Sequence, residues 1–196
     1  HVRLIDVQRR NRGWTSGAIV ANSNCTAMPV VMALAPLRQF GVKRIFAVSA
    51  QAISGAGYPG VASLDIVDNV IPYVSGDEDK LETEPLKMLG RFDGAQIEFL
   101  PAVASASCNR VAVVDGHLVN VSVELEAQPS LEDIIAAWEA FGGPDPVPML
   151  PSAPQRPLEY LRQIDRPQPR RDRMAGNGMA TSIGRLRPCP LLGYKF

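Results

Sequence analysis

Cysteine is scarce in this chain, with three residues at positions 25, 108 and 189. They are too few and too widely spaced for a disulfide framework, and no Cys-x-x-Cys pair or Cys/His cluster indicates a zinc site. We therefore expect no metal and a reducing, cytoplasmic setting.

Net charge and long apolar runs are also missing. The 20 basic residues are matched by 20 acidic ones, which excludes the electrostatic footprint of a nucleic-acid or anionic-membrane binder. No apolar run approaches the roughly 18 to 20 residues that span a bilayer. We therefore expect neither a nucleic acid nor a membrane as partner. A chain of 196 residues is nevertheless long enough to bury a core.

The two ends of the chain are unusual. It begins with His1-Val2-Arg3, without a starting methionine, and ends at Tyr194-Lys195-Phe196 inside an apolar pattern. This predicts that residues 1–196 are a piece of a longer protein.

Apolar runs, together with proline and glycine, predict the first strands and the first helix. Residues 17–21 (GAIVA) predict a short strand, and 27–40 predict a helix that bends at Pro36 and ends at Gly41. Residues 44–50 (RIFAVSA) predict a buried strand, because β-branched and aromatic side chains fill a short run. Strand, helix and strand in this order predict a parallel pair with a right-handed crossover.

The middle of the chain predicts a helix and a hairpin. Residues 77–91 are typical of a polar-faced helix interrupted at Pro85, and its acidic start is interpreted as a solvated face. Residues 109–114 and 117–125 flank Asp115-Gly116, which favours a type I′ β-hairpin.

The last third predicts one more helix and one more strand. Ser130 caps a helix that continues to Phe141, and residues 181–186 form the last strand. Eight prolines lie within 144–169, which indicates a surface excursion or linker, or else an arm across a partner subunit. Helices with both parallel and antiparallel strands predict an α+β domain whose mixed sheet is covered by helices.

Cys25 is the first candidate for chemistry. It lies between the predicted strand and the predicted helix, where the N–H groups at the helix start favour the nucleophilic thiolate. The alternative is a buried small hydrophobic side chain.

The segment 54–60 (SGAGYPG) is a glycine-rich loop after a predicted strand. Gly55, Gly57 and Gly60 satisfy G-x-G-x-x-G, but Pro59 interrupts the pattern and no ribose-binding acid follows at the expected distance. The loop is therefore a weak match to a pyrophosphate site, although glycine permits close backbone approach to a ligand.

Charged residues and the internal histidine give further candidates. His117 opens the second arm of the predicted hairpin, where a histidine is either structural or a proton-transfer group. A two-residue turn would put Arg110 near Val121, about a strand length from His117. Glu84 and Lys87 lie three residues apart on a helix and could present opposite charges to a zwitterionic or phosphorylated ligand.

Five segments of the chain resemble aspartate-semialdehyde dehydrogenases of the archaeal and fungal type: ANSNCTA (21–27), SAQAISGAGYPG (49–60), ETEPLKMLG (82–90), SCNRVAVVDGH (107–117) and GNGMATSIGRLR (176–187). The resemblance implies the fold of the catalytic C-terminal domain of glyceraldehyde-3-phosphate dehydrogenase-like enzymes, covering 1–196. The family's N-terminal NADP-binding domain and C-terminal return helix would lie outside this chain. We therefore expect that these residues alone bind NADP weakly or not at all and do not turn over.

The same resemblance implies a role for each matching residue. Cys25 would be the nucleophile and His117 the general acid/base, while Gln51 would orient the thioacyl group. Asn24 would form the oxyanion site with the Cys25 N–H. Arg110 would bind the carboxylate of the substrate, Glu84 the ammonium group of the substrate, and Lys87 the phosphate. Ser54, Gly55 and Gly57 would contact the nicotinamide side of NADP. The family usually has proline at Ser23 and a hydroxyl residue at Ala27, so this chain departs from the pattern on both sides of the nucleophile.

Two other functions stay open. A malonyl-CoA reductase or related acyl reductase could use the same scaffold, but Glu84 would then have no substrate amine to bind. A non-catalytic oligomerisation module would leave Cys25 inert. The implied partners are a small-molecule substrate, phosphate and further copies of the chain, as a homodimer or homotetramer.

Overall fold

The computed structural model describes residues 4–17, 19 and 21–196, and a five-stranded mixed sheet lies at its centre. In spatial order the strands are β4 (Val103–Arg110), β1 (Val42–Gln51), β5 (Leu118–Leu125), β9 (Gly193–Lys195) and β8 (Arg187–Cys189). β1 is parallel to β4 and antiparallel to β5, and the remaining pairs are antiparallel. The α+β class with a mixed sheet is therefore confirmed.

Two small strand pairs, six α-helices and four short 3₁₀ helices complete the regular structure of the described residues. β2 (Arg91–Phe92) and β3 (Ile97–Glu98) are antiparallel, whereas β6 (Leu158–Leu161) and β7 (Thr181–Gly184) are parallel. The helices are α1 (Leu4–Arg12), α2 (Ala27–Leu34), α3 (Ser63–Ile66), α4 (Asp77–Met88), α5 (Leu131–Glu139) and α6 (Pro169–Asp172). Within the described part of the chain, no helix is long and apolar enough to cross a membrane.

One face of the central sheet is buried and the other is open. Along β1, Ile45, Ala47, Ser49 and Gln51 are buried, whereas Phe46 between them is 42% exposed. The alternation follows from the two-residue period of a strand, which sends neighbouring side chains to opposite faces. Helices α2, α4 and α5 cover the buried face and form the core with it.

Trp138 of α5 joins several elements of this core. It is fully buried, and its indole N–H donates to the Ala33 carbonyl oxygen at 2.8 Å. Its ring stacks on Tyr160 and meets Phe196 edge-on, with centroids 5.6 and 5.1 Å apart. A large aromatic residue with a satisfied N–H can therefore link α2, α5, β6 and the end of the chain.

Several local predictions are confirmed. The segment 27–40 bends at Pro36, where α2 gives way to a 3₁₀ turn, and Gly41 ends it with a φ of 74°. Ser130 caps α5 with a complete capping box to Asp133. Side chains of β5 alternate with the two-residue period of a strand, with Val121 and Val123 buried and Asn120 exposed.

The described residues of the predicted strand over 17–21 form no strand. Residues 17, 19 and 21 have no regular secondary structure, and residues 18 and 20 lie outside the described part of the chain. The expected parallel pairing of this segment with 44–50 is therefore wrong. The parallel neighbour of β1 is instead β4, which comes later in the chain.

The predicted hairpin around Asp115-Gly116 is also wrong. β4 and β5 do not pair with each other, because β1 lies between them and bonds to both. Residues 111–114 cross the end of β1: Val111 N–H bonds to the Gln51 carbonyl, and Ile53 N–H to the Val113 carbonyl. A local turn signal identifies the change of chain direction but not a strand that enters between the two arms.

The second half differs from prediction in smaller ways. The helix over 77–91 ends at Met88 and continues through Pro85 rather than stopping there. Residues 158–161 of the proline-rich segment form a strand whose Leu158 is buried, so this part is not a surface excursion. The strand near 181–186 is not the last, because β8 and β9 follow it.

Candidate active site

Cys25 lies immediately before α2, and its side chain is exposed. The Asn24 side-chain oxygen accepts hydrogen bonds from the N–H groups of Thr26 and Ala27, at 2.9 and 3.0 Å. It thereby satisfies two of the free donors at the helix start. The alternative of a buried Cys25 is wrong, whereas Cys108 and Cys189 are both buried.

His117 is the nearest titratable neighbour of this thiol. Its Nε2 lies 3.1 Å from the Cys25 sulfur, although the two residues are 92 positions apart. The Ala52 N–H donates to Nδ1 at 3.0 Å, so Nδ1 carries no proton and Nε2 carries the proton of the neutral ring. His117 therefore presents an N–H to the sulfur.

The electrostatic surroundings keep this imidazole neutral. Burial lowers the pKa of His117, and the nearby Arg110 guanidinium lowers it further, while the Asp77 carboxylate opposes both effects. A neutral imidazole whose N–H faces the Cys25 sulfur can donate a hydrogen bond to that sulfur or to an oxygen of a bound molecule.

Arg110 is brought beside His117, contrary to the predicted separation. The Arg110 side chain is buried, and its Nη1 donates to the Ala52 carbonyl oxygen at 2.8 Å. The insertion of β1 explains the difference, since the crossing segment returns the chain to the end of β1, where Gln51 and Arg110 are register partners.

The glycine-rich loop packs directly against this pair. A Cβ at Gly55 would lie 2.8 Å from Arg110 Nη1 and 3.0 Å from His117 Cε1, closer than side chains tolerate. Ser54 holds the loop through its N–H to the Val114 carbonyl, and Gly57 has a φ of 69° with open space beside it. The loop is therefore close enough to the site to contact a cofactor, and that role stays a prediction.

Gln51 and Asn24 meet at an acidic residue that the sequence interpretation placed in solvent. Gln51 is fully buried, and its Nε2 donates to Asp77 Oδ2 at 2.8 Å. Asn24 Nδ2 donates to Asp77 Oδ1 at 3.3 Å. The solvated-face interpretation is thus wrong for Asp77, which is 8% exposed. Periodicity offered a signal, because Asp77 shares one helix face with the buried Leu81 and Pro85.

Glu84 and Lys87 occupy the next two turns of α4. Glu84 is partly buried, and its Oε2 accepts the backbone N–H of Asn24, the residue before Cys25, at 3.0 Å. Lys87 is exposed. The structure therefore brings Glu84 to the site, whereas no described contact connects Lys87 with Cys25 or His117.

A cavity of about 410 Å³ opens beside the thiol. Cys25 and His117 line it together with Val119 and Val121 of β5 and with Arg173 and Ile183 from the last part of the chain. The described residues contain no group of His, Cys, Asp and Glu side chains that could hold a metal ion.

Comparison with known proteins gives consistent results. The family model for the semialdehyde dehydrogenase dimerisation domain matches residues 34–195. Aspartate-semialdehyde dehydrogenases are 49% identical over all 196 residues in Archaeoglobus fulgidus and 42% identical over 194 residues in Aspergillus fumigatus. The chain covers 56% and 53% of these relatives, so it spans little more than half of their length.

A solved structure extends this similarity to the fold. The aspartate semialdehyde dehydrogenase of Candida albicans with NADP matches with a TM-score of 0.81 and 37% identity, over 96% of this chain and 54% of that one. The matching family model, the similar sequences and the similar fold lead to one conclusion. The chain belongs to the semialdehyde dehydrogenase family and corresponds to its dimerisation domain.

Proposed function

We propose that the whole protein containing this chain interconverts L-aspartate 4-semialdehyde and L-aspartyl 4-phosphate through a thioester on Cys25, using NADP and NADPH. The observation that carries the proposal is the 3.1 Å contact between His117 Nε2 and the exposed Cys25 sulfur. This step would serve the biosynthesis of lysine, threonine, methionine and isoleucine.

The chemistry suits a cysteine. The Cys25 thiolate adds to the aldehyde carbon and forms the oxyanion of a thiohemiacetal, which becomes a thioester when hydride leaves. NADP, when bound, would supply the acceptor for that hydride. Phosphate then attacks the thioester carbonyl, the C–S bond breaks, and the acyl phosphate departs while the thiolate is restored. The physiological direction is the reverse.

His117 and Asn24 would donate hydrogen bonds to the substrate oxygen that becomes negatively charged in these steps. The Nε2–H of His117 is directed at the sulfur, and it can reach an oxyanion on the carbon bound to that sulfur. One N–H of the Asn24 amide donates to Asp77, which leaves its second N–H for the same oxygen.

Charged side chains would select the substrate. Arg110 offers a rigid fork to the α-carboxylate, and Glu84 supplies a negative charge for the ammonium group. Lys87 would provide a point charge for phosphate. Holding the substrate at both charged ends keeps its reacting carbon near the sulfur, which lowers the entropic part of the barrier.

The loop residues Ser54, Gly55 and Gly57 fit the nicotinamide side of the cofactor. Gly57 leaves open space where any other residue would place a Cβ, and Gly55 lies against the side chains that face the thiol. A flat ring could approach this backbone closely. The main nucleotide-binding domain would lie outside these 196 residues, so we expect this chain alone to show no NADPH-dependent turnover.

The test compares aspartate semialdehyde with malonate semialdehyde in the whole protein. Glu84→Gln keeps an oxygen that can accept the Asn24 N–H and removes only the charge. It should reduce turnover of aspartate semialdehyde, which carries an amine, and leave turnover of malonate semialdehyde unchanged. Preference for the malonyl substrate in the unaltered protein would favour the acyl-reductase alternative.

A cysteine control separates catalysis from a purely structural module. Cys25→Ser should abolish turnover with either substrate, because a hydroxyl is a much weaker nucleophile and leaving group. Turnover that survives this change would refute the thioester mechanism. Absence of any turnover in the unaltered whole protein would support the non-catalytic oligomerisation module.

We also propose that the chain assembles with further copies of itself, as a homodimer or homotetramer. The open face of the central sheet supports this. It presents Phe46, Val48 and Val103 beside the short side chains Ser105 and Ser107, so a second flat surface could approach closely.

A further inference from the structure

We infer that Asp77 is a positioning residue whose carboxylate holds the side-chain amides of Asn24 and Gln51 in one orientation beside the nucleophile. The inference rests on the proposed function, because it assigns Asp77 to the reaction that Cys25 carries out.

The first support is geometric. Each carboxylate oxygen of Asp77 accepts from a different amide: Oδ2 from Gln51 at 2.8 Å and Oδ1 from Asn24 at 3.3 Å. The three residues are far apart in sequence, in the nucleophile loop, at the end of β1 and at the start of α4. One carboxylate therefore connects three elements at the site.

The Asp77 carboxylate also determines the orientation of the two side-chain amides. An ionised carboxylate only accepts hydrogen bonds, so each amide must turn its NH₂ group towards Asp77 and its oxygen away. For Asn24, this directs Oδ1 to the N–H groups of Thr26 and Ala27. A rotated Asn24 amide would set its NH₂ against those two N–H donors. Asp77 therefore fixes how the chain enters α2 just after the nucleophile.

Burial and local structure hold Asp77 itself in place. Its side chain is almost fully buried, and its backbone N–H bonds to the Val74 carbonyl at 3.1 Å. Gly76 precedes it with a φ of 70°, which turns the chain into α4. Lys80 lies one turn along, with Nζ 3.7 Å from Asp77 Oδ1. Asp79 is exposed, so it provides a matched control on the same helix.

The experiment compares Asp77→Asn with Asp79→Asn in the whole protein. The amide introduced by Asp77→Asn has one oxygen and one NH₂ group, so it cannot accept from both Asn24 and Gln51 as the carboxylate does. We expect kcat to fall at least about ten-fold in Asp77→Asn, with KM changed by less than about two-fold, since Arg110 and Glu84 still bind the substrate. Asp79→Asn should stay within about two-fold for both constants. Rates are expressed per mole of folded protein, measured by circular dichroism, so unfolded protein does not count.

A second readout does not depend on activity. Hydrogen exchange of the Thr26 and Ala27 amides should accelerate roughly five-fold in Asp77→Asn, because the acceptor on Asn24 is no longer held, and it should stay unchanged in Asp79→Asn. Loss of the Asp77 charge should also move the acid limb of the rate profile to lower pH. Asp77 is the group that opposes the effect of Arg110 on the pKa of His117, whose Nε2 faces Cys25.

The outcomes are separable. Unchanged exchange at Thr26 and Ala27, or a wild-type kcat per mole of folded protein in Asp77→Asn, overturns the inference. If the unaltered protein shows no turnover with aspartate semialdehyde, the proposed function fails and with it the catalytic part of the inference. The exchange measurement still decides whether Asp77 orients Asn24.

Discussion

Ala52 is the residue on which two candidate catalytic side chains depend. Its N–H donates to His117 Nδ1, and its carbonyl oxygen accepts from Arg110 Nη1, while Ala52 itself is fully buried. Both contacts come from the backbone, so no side-chain type at this position would indicate them. The rigid end of β1 therefore sets the ring tautomer and the direction of the guanidinium at the same time.

Gly55 gives the first prediction at the residue scale. Gly55→Ala places a Cβ where Arg110 Nη1 and His117 Cε1 now lie, so one of these side chains must move. We expect kcat/KM of the whole protein to fall about ten-fold or more, because small misplacements of catalytic groups are costly. Gly142→Ala is the control, since a Cβ there meets nothing within 4 Å. Equal activity of the two variants would contradict the proposed crowding.

His117 gives the second prediction, a pH dependence of stability. Burial and Arg110 lower its pKa in the folded chain, so below the ordinary value of about 6.5 the unfolded chain binds more protons than the folded one. The contribution of His117 is therefore complete above about pH 6.5 and is lost as the pH falls towards the lowered folded value.

Urea unfolding at about pH 7 and about pH 5 measures this contribution. The free energy of unfolding of the unaltered chain should fall more steeply between these values than that of His117→Gln, which does not titrate. Parallel pH dependences in the two proteins would show that His117 has the same pKa in both states.

At the scale of elements, α4 protects the outer edge of the central sheet. β4 is an edge strand, and its outward N–H groups at Ala106 and Cys108 donate to Glu82 at 2.9 Å and to Glu78 at 3.0 Å. The two glutamates are four helical residues apart, which is about 6 Å, and the two N–H groups are two strand residues apart, which is about 6.7 Å. The spacing of the acceptors therefore matches the spacing of the donors. The acidic side chains therefore act as acceptors for an edge that would otherwise be open to pairing.

Glu82 supplies the prediction for this helix–strand contact. Glu82→Ala leaves the Ala106 N–H without its acceptor, and we expect the free energy of unfolding to fall by about 1–3 kcal/mol. Glu82→Gln keeps an acceptor oxygen and should lose less. Asp79→Ala, on the exposed side of α4, serves as control in the same urea titrations. A loss in Asp79→Ala as large as that in Glu82→Ala would point to the missing negative charge in the N-terminal half of the helix instead of the edge contact.

At the scale of the whole molecule, one face of the central sheet is covered by helices and the other is open. Helices cover the face that carries Ile45 and Ala47, whereas the face that carries Phe46 and Val48 is open in the single chain. An open, partly apolar sheet face of this kind indicates a protein interface.

Phe46 provides the corresponding prediction. Phe46→Asp places a charge at the centre of the open face, opposite Ser105 on one side and Ser122 on the other. We expect it to convert the oligomer to monomers in sedimentation velocity, because a charge buried without a partner opposes association. Ile164→Asp is the control, as an exposed apolar side chain that does not belong to the sheet. Dissociation by both variants, or by neither, would contradict the assignment of this face.

Local sequence determined the features that neighbouring residues control. The bend at Pro36, the left-handed Gly41, the Ser130 capping box and the alternation along 118–125 follow from steric limits and hydrogen bonds within a few residues. Sequence motifs also indicated the family correctly, and the matched domain model confirms it.

Tertiary structure decided which of these elements became neighbours. Asp115-Gly116 marked a reversal of the chain, but β1 occupies the place between β4 and β5, and its insertion brings Arg110 to His117. Asp77 looked solvated by composition, and only the packing of α4 beneath Asn24 and Gln51 buried it. Tertiary contacts join residues as far as 105 positions apart, and a local pattern contains no information on which distant segment will be the partner.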